Sequence, residues 1–262
     1  MPATAFDPSL AAPAMDEFDA SSLWRISDFR REREAHPDTN PFAADARPTL
    51  LPTTLLADLQ QLQGDPLNGD VLEVIAACIR HREAALLYLA YGDRVWPVTL
   101  FPREFLYHSP RDVAQLGSGA GLAKLALLSA EPPHVRPPGD NMSERVANPQ
   151  RYRPMEALLW AVSLHGPRSV VLSEISGRVA YKLVSSGLRE LPSSLGALRP
   201  AVERLRQEAA PLRDIAGWPG MSLPRASRLL NALYLTGALM ISRSHPSAGR
   251  ERSWRNLFGR GR

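Results

Sequence analysis

From Gly217 to Arg243 the chain reads GWPGMSLPRASRLLNALYLTGALMISR, and few folds accommodate that order of signals. Ser222 stands where an N-cap oxygen satisfies free amides of a first helical turn, and Pro224 follows where its missing N–H costs little. Ala226, Leu229, Leu230, Leu233 and Tyr234 recur at i, i+3, i+4, i+7 and i+8, which buries one stripe. Gly237 ends the helix, and ALMISR reads as a strand. Upstream, Leu212, Ile215 and Ala216 predict a short helix, with Trp218-Pro219-Gly220 as the turn. Helix, turn, helix and strand in this order predict a winged helix-turn-helix.

The rest of the chain is divided by its prolines, which number 24 in 262 residues and cluster. Residues 1–46 form an acidic, partly disordered arm, with nine carboxylates against four arginines. Within it, SSLWRISDFRRERE spaces Leu23, Ile26 and Phe29 three apart, so a short helix there gains most by docking on something. Residues 47–138 predict an α+β domain. Its first helix carries Leu55, Leu56, Leu59 and Leu62, and its second is capped by Asp70 with Glu73 three residues on. A hairpin turns at Gly92-Asp93, and Pro97 assigns its second strand to an edge. REFLYHS predicts a third strand, and the end of DVAQLGSGAGLAKLALLSA reads as helical.

Residues 139–152 then read as a linker, 153–246 as the mainly helical winged-helix-like domain and 247–262 as a basic tail. The second domain opens on a helix with Pro154 in its first turn and Gly166 beyond its end. A strand at 178–184 and a helix beginning near Pro200 complete it. The fold class is α+β: an α/β N-terminal domain with a β-hairpin or meander, followed by the winged-helix-like part.

Cys78 is the sole cysteine, which excludes an intramolecular disulfide and a thiolate metal cage. No apolar run reaches the roughly 18 residues that span a bilayer, and the acidic start does not read as a signal peptide. The expectation is a cytoplasmic chain without stable membrane insertion.

The face of 223–236 opposite the apolar stripe bears on function. Arg225, Arg228 and Asn231 fall at i, i+3 and i+6, and Arg and Asn are the residue types that read guanine and adenine edges. Arg243, Arg250 and Arg252 in the following wing are placed to meet phosphates. A contact with a protein partner uses the same exposed face. Two further segments are candidates for docking: Trp24, Ile26 and Phe29 in the arm, and Trp254, Leu257 and Phe258 among the arginines of the tail.

SEISGRVAYKL, LRDIAGWPGMSLPRASRLLNALYLTGALMISRSHP and RVWPVTLFPREFLYHSP together resemble the PatA-type domain family of bacterial signalling proteins. The resemblance spans about residues 70–246 and rests on layout and apolar signatures. It implies an N-terminal α/β part, a C-terminal winged-helix-like part, and regulatory or adaptor work; the residues themselves suggest no cofactor. No acidic pair with a phosphoacceptor Asp and a Lys marks a receiver domain.

Reactive chemistry is poorly represented. GSGAGLAK at 117–124 lacks the glycine before Lys124 and the hydroxyl residue after it that a phosphate loop requires. Cys78 and His81 lie one helical turn apart, but no second pair completes a metal site. His108, His134, His165 and His245 fall near loops or element ends, where capping and surface roles are the usual ones, and no GxSxG elbow presents Ser163 or Ser173 as a nucleophile. The sequence therefore predicts a non-enzymatic regulatory adaptor that binds protein. A DNA-binding regulator is the alternative, and an enzyme the remote one.

Overall fold

A computed structural model describes residues 23–35, 51–63, 70–113, 121–142, 145–184 and 193–243. The chain divides into two compact units, the first ending at Pro167 and the second beginning at Arg168. Among the described residues no helix is long and apolar enough to cross a membrane.

Unit 1 contains helices α1 (Ile26–Ala35), α2 (Thr53–Gln63), α3 (Val71–His81) and α4 (Met155–His165). Its strands are β1 (Ala85–Tyr91), β2 (Arg94–Phe101), β3 (Leu106–His108), β4 (Ala126–Glu131) and β5 (Tyr152–Pro154). They form one antiparallel sheet in the order β4-β1-β2-β3-β5. The β1–β2 hairpin turns at Gly92-Asp93, where Gly92 takes φ 64, a conformation that favours glycine. The α3 N-terminus is capped as its sequence requires, with Asp70 Oδ1 accepting from Leu72 N at 2.9 Å.

Successive residues of a strand point to opposite faces, and Ala85 through Leu89 are all buried. Both faces of the sheet are therefore covered. On one face Leu87, Leu89, Trp96, Val98, Leu100 and Tyr107 are almost wholly enclosed. On the other lie Leu86, Tyr88, Val95 and Thr99, also buried, in one line with His108 through the pairing Thr99↔His108. Of the four leucines assigned to one face of α2, Leu55 and Leu59 are buried while Leu56 is 39% exposed.

Three expectations are corrected here. Pro97 does not mark an edge, because β2 lies between β1 and β3. Val95 turns its N–H away from β1, donating to Trp24 O at 2.8 Å. Pro97, two residues on, faces the same way, and β3 pairs only from Thr99 onward. The missing donor thus falls in the gap between the Trp24 segment and the end of β3. Residues 126–131 are a strand against β1 instead of a helix, since a short apolar run has no period to separate the two and the open side of β1 decides. The segment 139–152 is not a boundary: Tyr152 pairs with His108 across β3–β5, and Met155 N donates to Phe105 O at 2.9 Å. These bonds hold β5 and α4 in unit 1, so the division falls at 167/168.

Asp58 ties α2 to α3, accepting from Arg80 at 2.7 Å and lying 2.8 Å from His81 Nε2. The hydrogen bond from His81, then that from Arg80, holds its carboxyl below the ordinary carboxylate range. A depressed acid contributes stability above its ordinary pKa and loses it as pH falls through the lowered one. Asp58→Asn should therefore lower the urea midpoint slightly at neutral pH and leave it unchanged in strong acid.

Unit 2 contains β6 (Ala180–Leu183), α5 (Arg199–Gln207), α6 (Leu212–Ala216), α7 (Leu223–Leu235) and β7 (Leu239–Ser242). β6 and β7 pair antiparallel, and Tyr181 exchanges two backbone bonds with Ala210 on its other side. Ser222 caps α7, its Oγ facing Arg225 N at 3.4 Å, and Gly237 beyond the helix takes φ 74. Leu172, Ile175, Val202, Leu205, Ile215, Leu229, Leu230 and Leu233 are fully enclosed in this unit's core. The Arg204 guanidinium lies 4.6 Å from the Trp218 ring centroid and shields the turn between α6 and α7.

Candidate functional site

Two places carry polar groups that sequence reasoning raised, and each unit holds one. In unit 2 the face of α7 assigned to a partner is largely occupied by the unit itself. Asn231 is 0% exposed. Its Oδ1 accepts from Leu172 N at 2.8 Å, and its Nδ2 donates to Val170 O at 2.9 Å. Arg228 Nε donates to Arg168 O at 3.1 Å. Residues 168–172 therefore run beside α7, bonding both polar atoms of the Asn231 amide and the Nε of Arg228. This corrects the expectation that Arg225, Arg228 and Asn231 form one exposed row.

The reason is that α7 is buried beyond its stripe. Ser227 and Leu235 join Asn231 in the interior, and Leu235, four residues on, is the sequence signal for a second covered face. Only the first turn is open: Leu223 is 54% exposed, and Pro224 and Arg225 are exposed beside it. Arg225 Nη1 bends back to Gly220 O at 2.6 Å. Arg243 is exposed after β7. Arg250, Arg252, Trp254, Leu257 and Phe258 lie outside the described residues, as does His245.

In unit 1 the arm segment Trp24, Ile26 and Phe29 docks on the sheet. Ile26 N donates to Asp93 O at 3.0 Å, and Arg94 Nη1 donates to Leu23 O at 3.1 Å. Together with the Val95–Trp24 bond these lay the segment along β2. Phe29 packs with Leu86, Tyr88 and Val95, its ring centroid 4.9 Å from that of Tyr88. At the far end Arg33 reaches Glu131 and Ser129 on β4. Phe29→Ala should cost about 2 kcal/mol of docking free energy. Hydrogen exchange will read it as faster exchange across α1 with β1 and β2 unchanged.

Between α1 and the sheet lies a cavity of about 90 Å³ with mainly apolar walls, among them Phe29, Tyr88, Val95, Pro97 and Val135. His108, His134 and Arg151 also line it. His108 is 9% exposed, and its Nε2 is buried without a hydrogen-bond partner. Burial, then the nearby Arg151 and Arg153 guanidinium groups, lowers its imidazole to about 4. The ring is therefore neutral at physiological pH. His134 is also lowered by burial, against the opposing effect of Glu131 3.9 Å away. Arg153 is engaged by Asp112 at 3.2 Å and by Ser109 O at 2.9 Å.

Sequence reasoning placed His108 near a loop end, where histidines usually cap or sit at the surface. The three-residue strand β3 buries it instead, and only the pairing with β2 and β5 makes that visible. Cys78 is 0% exposed, its thiol raised by burial to about 12, and His81 faces Asp58. Residues 117–120 of the glycine-rich stretch are outside the described residues. Among the described residues no three Cys, His, Asp or Glu side chains gather to hold a metal ion.

Compared with known proteins, the chain matches no family model, no curated protein and no solved structure.

Proposed function

We propose that the protein is a non-enzymatic regulatory adaptor whose winged-helix-like second unit contacts protein through the open first turn of α7. One observation carries this reading: Asn231, the adenine-reading type in the expected recognition set, is spent on holding residues 170–172. Base readout needs side chains free to enter a groove, and Arg228 is likewise bonded to Arg168 O. The surface that stays open begins with Leu223 and Pro224, whose chemistry suits a protein partner better than a phosphate backbone. The PatA-type resemblance points to the same regulatory role in a bacterial cytoplasm.

The DNA-regulator reading keeps Arg225 and Arg243, which are exposed. Site-specific photo-crosslinking separates the two. A benzophenone side chain in place of Leu223 should give one discrete protein adduct in cells, while the same group in place of Glu203 on α5 gives none. Adducts formed only with nucleic acid, or none from either position, overturn the adaptor reading.

A further inference from the structure

We propose that the cavity between α1 and the sheet of unit 1 is a binding site for a small carboxylate with a compact apolar body, its head group on His108 Nε2 and Arg151.

A buried polar atom without a partner costs about 1–3 kcal/mol, so folded chains rarely keep one. Among the described residues His108 Nε2, Trp160 Nε1 and Ser163 Oγ are such atoms, and of the three only His108, more than nine-tenths buried, lines the cavity. A phenylalanine would fill the position at no such cost. The position keeps an imidazole, and a ligand's polar group is what satisfies it.

The charge around the ring selects the head group. Arg151 lines the same cavity, and Arg151 and Arg153 both oppose protonation of His108. Their field favours an anion where the neutral imidazole donates a single hydrogen bond. A carboxylate has acceptor atoms enough for His108 and Arg151 together. The walls select the body: Phe29, Tyr88, Val95, Pro97 and Val135 offer aliphatic and aromatic surface. The space, about 90 Å³ and partly open, is smaller than the ~150 Å³ cavity that admits benzene. A body smaller than benzene's six carbons, roughly four, matches it by that comparison.

The arrangement also couples binding to the arm. Trp24 and Phe29 form part of the lining, and both belong to the segment latched along β2 by the Val95–Trp24 and Ile26–Asp93 bonds. A ligand seated in the cavity packs against α1 and holds it down.

The test uses the full chain with 3-methylbutanoate and hexanoate, and with 3-methylbutanamide as the uncharged control, read by calorimetry and thermal shift. The expected result is saturable binding of at least one carboxylate, a higher Tm in its presence, and at least tenfold weaker binding of the amide. His108→Phe should weaken the carboxylate tenfold or more while the Tm of the free protein stays level or rises. Arg151→Gln, at a half-buried position, gives a second handle and should erase the preference for carboxylate over amide. Absence of saturable carboxylate binding, equal binding of the amide, or an unchanged Kd in both variants overturns the proposal. A merely structural His108 would alter only the Tm.

Discussion

Asn231→Ala will destabilise unit 2 by roughly 1–3 kcal/mol, because it leaves the buried Leu172 N without its acceptor, while Val170 O keeps the bond from Arg168 Nε. Leu172 is itself 0% exposed, so water does not replace the lost acceptor at that amide. The change should appear as a lower urea midpoint for the transition followed by hydrogen exchange in α7, with unit 1 amides unaffected. An exposed asparagine positioned to read a base would give a change within about 0.5 kcal/mol. The same substitution therefore separates a structural from a recognition role for that face of the helix.

His108→Phe will remove much of the protein's sensitivity to mild acid. In the folded chain His108 is lowered to about 4, burial being the main cause. Its ordinary value in an unfolded chain is about 6.5. Between those values the unfolded state binds the extra proton, so stability is complete above about pH 6.5 and falls as pH drops toward 4. The loss amounts to roughly 3 kcal/mol, from the separation of the two values at about 1.4 kcal/mol per unit. In the phenylalanine variant that limb of the stability curve should flatten, with His134, which burial also lowers, and near pH 4 Asp58 contributing to the slope that remains. Urea midpoints measured from pH 7 down to 4 in both proteins will show it.

What the sequence made legible was local. Ser222, Pro224 and Gly237 delimit α7, Asp70 caps α3, and Gly92 turns the first hairpin, each through bonds spanning a few residues. What it concealed depends on partners far along the chain. Asn231 is buried by a segment 59 to 61 residues before it, and nothing in the periodicity of α7 names that segment. His108 is buried by its pairing with β2 and β5, and its strand is only three residues long. Pro97 misled for the same reason: whether its missing donor matters depends on where β3 ends, which the local sequence does not encode. The run at 126–131 carries no period of its own, and an unfilled side of β1 makes it a strand.

The two units thus divide the functional question between them. In unit 1 the arm helix lines a mainly apolar, partly open cavity beside a buried imidazole. In unit 2 α7 has Asn231 and Arg228 bonded to its own chain. A contact by the first turn of α7 leaves those bonds undisturbed.

The most direct test of this account is fluorescence anisotropy of a labelled generic duplex, titrated with the wild-type chain and with Arg225→Ala/Arg243→Ala at low and at physiological salt. Both substituted arginines are exposed, so the variant keeps the internal bonds of Arg228 and Asn231 intact. The account predicts that the titrations of the two proteins superimpose at each salt concentration. Salt-sensitive micromolar binding by the wild type that the double substitution abolishes would contradict it, and would make unit 2 a DNA reader.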